Sequence, residues 1–210
     1  TLLREVHHRV KNNFQIISSL LRLESATLDS GPAIPALQNA NRRVFAMSLV
    51  HELLYQEDLS GAIDLGHYLE RLATALLGEA EGLQISLTVT GDRLEIPLDT
   101  AIPLGLVCNE ALMNILRHAF PPEHRMNPQV DIRLERFEKA ARLTIRDNGV
   151  GFGIGSGSAI RSEDSGQKAQ EGDTRSLGLT LMEALISQID GTWSIRQDGG
   201  TIVDLEFPVS

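Results

Sequence analysis

Two apolar stripes with alternating steps of three and four residues, broken at Gly31-Pro32, constrain the fold of this chain more than any other feature. From Leu3 the first stripe runs through Val6, Val10, Ile17 and Leu20, with Asn13 in its one polar slot. The second runs through Leu37, Ala40, Val44, Met47, His51 and Leu54. This spacing predicts two amphipathic, coiled-coil-like helices, and a Gly-Pro turn between them makes them antiparallel neighbours. Such a hairpin has too little interior to bury both apolar faces. Pairing with a second copy into a four-helix bundle solves that problem, so a homodimer is expected.

After Tyr55 the pattern changes, and a polar stretch through Gly61 places a domain boundary near residue 60, dividing the chain into 1–60 and 61–210. The second unit opens with a helix carrying Leu65, Tyr68, Leu69, Leu72 and Leu76. Gln84–Thr90, Val130–Phe137 and Ala141–Arg146 alternate as strands, the last two paired. Thr100–Ala119 and Leu177–Ile189 read as helices, and Trp193–Arg196 with Ile202–Phe207 form a closing hairpin around Asp198-Gly199-Gly200. The expected architecture is an α+β sandwich of helices on a mixed sheet. Residues 153–175 carry almost no apolar side chain and are expected as a long loop, a lid over a site.

Composition narrows the functional classes. A formal charge of −9 over 210 residues lacks the clustered Lys and Arg that hold phosphate backbones, so nucleic acid is not an expected partner. No apolar run approaches the roughly 20 residues of a membrane-spanning helix, and no signal peptide is apparent. A cytoplasmic location is expected, with no membrane contact by this segment. The single cysteine, Cys108, lies in an apolar helical run and reads as core. Trp193 reads as core, while His51, His67 and His124 lack a second ligand at metal spacing. A start at Thr1, already in helical register, suggests a segment of a longer protein.

Four constellations carry chemistry. In Glu5-Val6-His7-His8-Arg9-Val10-Lys11-Asn12-Asn13, at about 100° per residue, His7 lies near the apolar stripe and His8 points away from it. Glu5, Lys11 and Asn12 share the face of His8, where they can accept a proton, offset charge and hydrogen-bond phosphate. On the helix Asn109-Glu110-Ala111-Leu112-Met113-Asn114-Ile115-Leu116-Arg117-His118, helical spacing gathers Glu110, Asn114, Arg117 and His118 in one row. A carboxylate and an amide one turn apart can hold Mg²⁺, and a cation on the next turn can meet phosphate. Asp147-Asn148-Gly149-Val150-Gly151-Phe152 follows an apolar strand. Its glycines admit a flat ligand, and its aspartate can accept a hydrogen bond from an exocyclic amine. Ser176-Leu177-Gly178-Leu179 opens a helix whose free N–H groups favour phosphate.

In this order, over essentially the whole chain, these blocks resemble sensor histidine kinases: a dimerisation and phosphoacceptor hairpin followed by a Bergerat-type ATP-binding domain. HHRVKNN followed by FQIISSLL resembles the subclass related to the HWE kinases, in which the histidine before Arg is the phosphoacceptor, which assigns His8. NEALMNILRHAF resembles the N box. That implies Asn114 as Mg²⁺ ligand, Glu110 as a magnesium or proton-handling carboxylate, and Asn109, Arg117 and His118 as neighbours of the nucleotide. DNGVGF resembles the first glycine box, implying Asp147 on the adenine amine with Gly149 and Gly151 shaping the pocket. SLGLTLM resembles the second, with Ser176, Leu177 and Gly178 beside phosphate, and Gly199-Gly200-Thr201 resembles the closing turn, with Thr201 near adenine.

The chain departs from the pattern at several points. It lacks the Trp-x-Glu signature of HWE kinases proper, carries Arg117 where Lys is usual and Ser176 where a second glycine often stands, and has Arg9 after His8 where an acid is typical. Glu5 or Glu110 is then the candidate base. The resemblance implies ATP and Mg²⁺, autophosphorylation of His8 and phosphoryl transfer to an aspartate of a response regulator. An ATP-hydrolysing Bergerat machine and a scaffold with a degenerate pocket are the competing readings. The His8 hairpin argues against the first, and Glu110, Asn114, Asp147 and Gly149 argue against the second.

Overall fold

The two heptad stripes form helices α1 (Leu2–Thr27) and α2 (Ala33–Gln56). A computed structural model describes residues 2–28, 31, 33–56, 62–78, 83–122, 127–151, 159–161 and 177–209; at 2–8, 55–56, 159–161 and 177 it describes the course of the backbone alone. Lys11 meets Glu52, Phe14 meets His51 and Ser18 meets Asn41, so numbers rise on one helix as they fall on the other and the pair is antiparallel. The seam toward α2 runs through Phe14, Ser18, Leu21 and Ser25, all half-buried. It lies one position on from the predicted stripe of Asn13, Ile17 and Leu20. Helix α1 therefore has a second apolar face, where Ile16, Leu20 and Leu23 are 58%, 55% and 64% exposed.

The C-terminal half of α2 is packed differently. Ala46, Leu49, Val50, Leu53 and Leu54 are buried in one core with α3 (Leu65–Gly78) and α4 (Leu98–Asn114). The Tyr68 hydroxyl donates to the Ala46 carbonyl at 3.2 Å, and a Cβ at Gly105 would strike that hydroxyl, so glycine is what lets α3 and α4 meet there. Asp64 caps α3 by accepting the His67 N–H at 3.1 Å, an interaction of about 1 kcal/mol at helix N-termini. Just before it, β1 (Ala62–Asp64) pairs antiparallel with β3 (Glu95–Pro97). These three-residue strands are too short for an alternating pattern to be legible.

The main sheet has the order β2-β4-β5-β8-β7-β6. Its strands are β2 (Ser86–Gly91), β4 (Gln129–Arg136), β5 (Ala140–Asp147), β6 (Ala159–Arg161), β7 (Thr192–Gln197) and β8 (Thr201–Pro208). β2 and β4 are parallel and the other neighbours antiparallel, which is the expected mixed sheet with its expected β7–β8 hairpin. Period-two side-chain alternation puts Val130, Ile132 and Leu134 of β4 and Ala141, Leu143 and Ile145 of β5 in the core, together with Trp193. Cys108 is fully buried, and that burial pushes its thiol pKa up, leaving an inert core residue as expected.

Two local features differ from expectation. β6 falls inside the segment 153–175 expected as a loop; the rest of that segment lies outside the described residues. The helix expected to run regularly to Ala119 keeps α geometry only to Asn114, and Ile115–Ala119 form a π-helical turn. A last helix, α5 (Leu177–Ser187), packs against α4 and β7.

Candidate functional site

Strand parity decides the most unusual residue of the site. Ala141, Leu143 and Ile145 point into the core, so the next residue in the same phase, Asp147, is carried inward and is 1% exposed. One carboxylate oxygen, Oδ1, accepts the Gly149 N–H at 2.8 Å and the Thr201 N–H at 3.2 Å. The other, Oδ2, is buried with no hydrogen-bond partner among the described residues. Leaving a buried acceptor unmatched costs about 1–3 kcal/mol, so this oxygen is fitted to a donor supplied from outside the chain.

Asp147 lies at the wall of a cavity enclosing about 430 Å³ of space not filled by atoms, part of it open to solvent. Ala111, Asn114, Ile115, His118 and Ala119 form one side, Met182 of α5 another, and Ile145, Ile195, Thr201 and Val203 the sheet floor, with Gly151 at the rim. Apolar walls with a few convergent polar groups suit a flat, partly polar ligand. Gly149 is constrained by its neighbours, because a Cβ there would collide with the Ala119 carbonyl. That carbonyl accepts the Val150 N–H at 2.9 Å and so ties the loop after β5 to the π turn. Single π turns recur at functional sites.

The expected site residues separate into three groups. Asn114, His118, Asp147, Gly151 and Thr201 line the cavity, and Gly149 is bonded directly to Asp147. Glu110 and Arg117 do not line it. Glu110 Oε1 accepts from Arg43 Nε at 2.9 Å and from Asn109 Nδ2 at 3.4 Å, and Arg117 donates to Asn39 Oδ1. Asn109 is buried, and its Oδ1 has no partner among the described residues. The expected row is split: Asn114 and His118 line the cavity, while Glu110 and Arg117 are engaged by Arg43 and Asn39 of α2. Gly178 sits half-buried in the first turn of α5. Ser176 lies outside the described residues, as do the side chains of Leu177, His8 and Glu5; His8 and Glu5 are in the opening turns of α1.

One turn on from His8, Lys11 pairs with Glu52 at 3.0 Å, and Arg71 of α3 reaches the same carboxylate at 3.0 Å. The hydrogen bond from Lys11, then that from Arg71, holds the Glu52 pKa below the usual carboxylate range against the opposing effect of burial. The apolar lining from Ile145, Ile195 and Val203 is not singled out by any motif; its only sequence signal is the hydrophobic alternation that marks core strands. Among the described residues no group of three His, Cys, Asp or Glu could hold a metal ion unaided. Mg²⁺, which takes one or two protein oxygens and completes its shell with phosphate and water, is compatible with the single amide oxygen Asn114 brings to the cavity.

Comparison with known proteins bears on this geometry. Residues 5–80 match a family described as histidine kinase, and residues 73–207 match one described as histidine kinase-like ATPase domain. The chain is 32% identical over 218 residues to the blue-light-activated histidine kinase 2 of Erythrobacter litoralis, covering 99% of this chain and 57% of that protein. It is 30% identical over 211 residues to the sensor histidine kinase PdtaS of Mycobacterium tuberculosis, covering 99% of this chain and 39% of the relative. The chain thus spans less than two thirds of the length of these relatives. Among solved structures, the histidine kinase domain of the E. litoralis EL346 blue-light activated histidine kinase superposes with a TM-score of 0.65 at 27% identity, over 97% of this chain and 89% of that one. The ATP binding domain of PrrB from M. tuberculosis superposes with a TM-score of 0.53 over 71% of this chain and 96% of that one, a likeness of fold at 22% identity.

Proposed function

Since this chain belongs to the histidine kinase family, with a histidine kinase-like ATPase domain over residues 73–207, we propose that it binds ATP beside Asp147 and phosphorylates its own His8. It then passes the phosphoryl group to an aspartate of a response regulator receiver domain. The observation that carries the reading is the unpartnered Oδ2 of Asp147 at the wall of an apolar cavity. The exocyclic amine of adenine supplies the N–H donor this oxygen lacks, and the aliphatic walls suit the faces of the base.

Mg²⁺, when bound, would supply positive charge that offsets that of the phosphates. Asn114 is the side chain to hold it, with Glu110 as the second candidate. His118, Asn109, Arg117 and the N–H groups at Ser176, Leu177 and Gly178 would meet the phosphates. His8 is the nucleophile, through the lone pair of its imidazole. Its ring nitrogen forms the N–P bond as the P–O bond to departing ADP breaks, and Glu5 or Glu110 takes the ring proton. Residues 1–60 act as the phosphoacceptor unit and 61–210 as the nucleotide unit. Two copies pair through the exposed face of α1, and the protein works in the cytoplasm. None of the helices among the described residues is long and apolar enough to cross a membrane.

The test is labelling with γ-³²P-ATP of the wild type, His8→Ala and His7→Ala. The expected result is an acid-labile, base-stable label on the wild type and His7→Ala and none on His8→Ala. Label that survives in His8→Ala but is lost in His7→Ala overturns the assignment, and a wild type that releases phosphate without being labelled overturns the kinase reading.

A further inference from the structure

Asn39 and Arg43 stand one turn apart on α2 and reach two of the expected nucleotide-site residues that stay out of the cavity. Arg43 Nε donates to Glu110 Oε1 at 2.9 Å, and Asn39 Oδ1 accepts from Arg117. The Arg43 and Glu110 side chains are 30% and 12% exposed, so solvent and salt screen this pair less than an open surface pair. Each contact joins the hairpin to the helix that walls the cavity. Asn114 and His118, which alternate with Glu110 and Arg117 along that helix, do line the cavity.

Helix α2 is held to the rest of the chain in two different ways. From Ala46 onward its inner residues are buried apolar side chains, whereas no described α2 residue before Ala46 is buried. The half that carries Asn39 and Arg43 therefore meets the helix that walls the cavity through polar side chains, while the other half is anchored in the apolar core.

We propose that Asn39 and Arg43 form a clamp that withdraws Arg117 and Glu110 from the nucleotide, so that clamp closure and nucleotide binding compete for the same two side chains. This inference rests on the reading of the cavity as a nucleotide site. Because coupling between two binding events is reciprocal, opening the clamp strengthens nucleotide binding and nucleotide loosens the N-terminal half of α2 by the same factor. A displacement of α2 by an upstream input would thereby alter the nucleotide site without touching it.

Titration calorimetry of the whole chain with Mg²⁺ and AMP-PNP tests the clamp in the wild type, Arg43→Lys and the double variant Asn39→Ala/Arg43→Ala, with circular dichroism as a check of folding. The expected result is binding about fivefold or more tighter in the double variant, and binding near wild type in Arg43→Lys, which keeps a cation opposite Glu110. A folded double variant that binds as the wild type does, or more weakly, overturns the clamp and leaves the nucleotide reading intact. A wild type that binds no AMP-PNP overturns both. Should the double variant not fold, hydrogen exchange on the wild type decides: faster exchange over residues 36–45 on saturation with AMP-PNP supports the clamp, and unchanged or slower exchange overturns it.

Discussion

At the scale of single residues, Asp147 shows how a site can follow from strand parity. Continuing the Ala141, Leu143, Ile145 phase places a carboxylate where an aliphatic side chain would be expected. Two backbone N–H groups then hold one oxygen and leave the other unpartnered in a residue that lines the cavity. In Asp147→Asn, the amide oxygen can keep the bonds to Gly149 and Thr201, which turns its NH₂ toward the ligand, so a donor meets the donor of adenine. Losing a charge-assisted hydrogen bond of about 1.5–3 kcal/mol predicts AMP-PNP binding roughly 10- to 100-fold weaker with the melting temperature little changed. Calorimetry paired with a thermal melt checks this, and an unchanged Kd would sink the role given to Asp147. The position of this aspartate is legible in sequence because it depends on neighbours two and four residues away. The partners of Glu110 and Arg117 are not, since Arg43 and Asn39 lie 67 and 78 residues from them.

At the scale of elements, the heptad spacing locates both hairpin helices, but not the face on which they meet. Two apolar seams one position apart compete on α1, and the ion pair of Lys11 with Glu52 and the contact of Phe14 with His51 belong to the one that wins. Glu52 also receives Arg71 of α3, so one carboxylate joins three helices. Its pKa is lower in the folded chain than in the unfolded one. Its contribution is therefore complete above the unfolded carboxylate pKa of about 4.3 and is lost as pH falls through the folded value. Melting temperatures of the wild type and Glu52→Gln should differ most at neutral pH and converge below pH ~4; a difference that is flat with pH would show the triad to be without stabilising effect. The π turn was likewise hidden. Its residues read as ordinary helix, and the bond from Val150 to the Ala119 carbonyl that ties it down comes from a loop distant in sequence.

At the scale of the whole molecule, the exposed Ile16, Leu20 and Leu23 follow i, i+4, i+7 spacing on one face of α1, the pattern of a helix that still has a helical partner to meet. With the other seam already used by α2, a second copy is the occupant we propose. Ile16→Asp/Leu20→Asp should then raise the dimer dissociation constant at least tenfold in sedimentation equilibrium while leaving AMP-PNP binding unchanged, and a dimer of undiminished affinity would place the interface elsewhere. The longer elements, the mixed sheet and most of the cavity's polar residues were determined by the sequence alone, because periodicity and turn chemistry act over a few residues. Which helix face is covered, where α geometry gives way to π, and the engagement of Glu110 and Arg117 by α2 were decided only in the tertiary structure. Those outcomes depend on contacts between segments far apart along the chain, which no local pattern encodes.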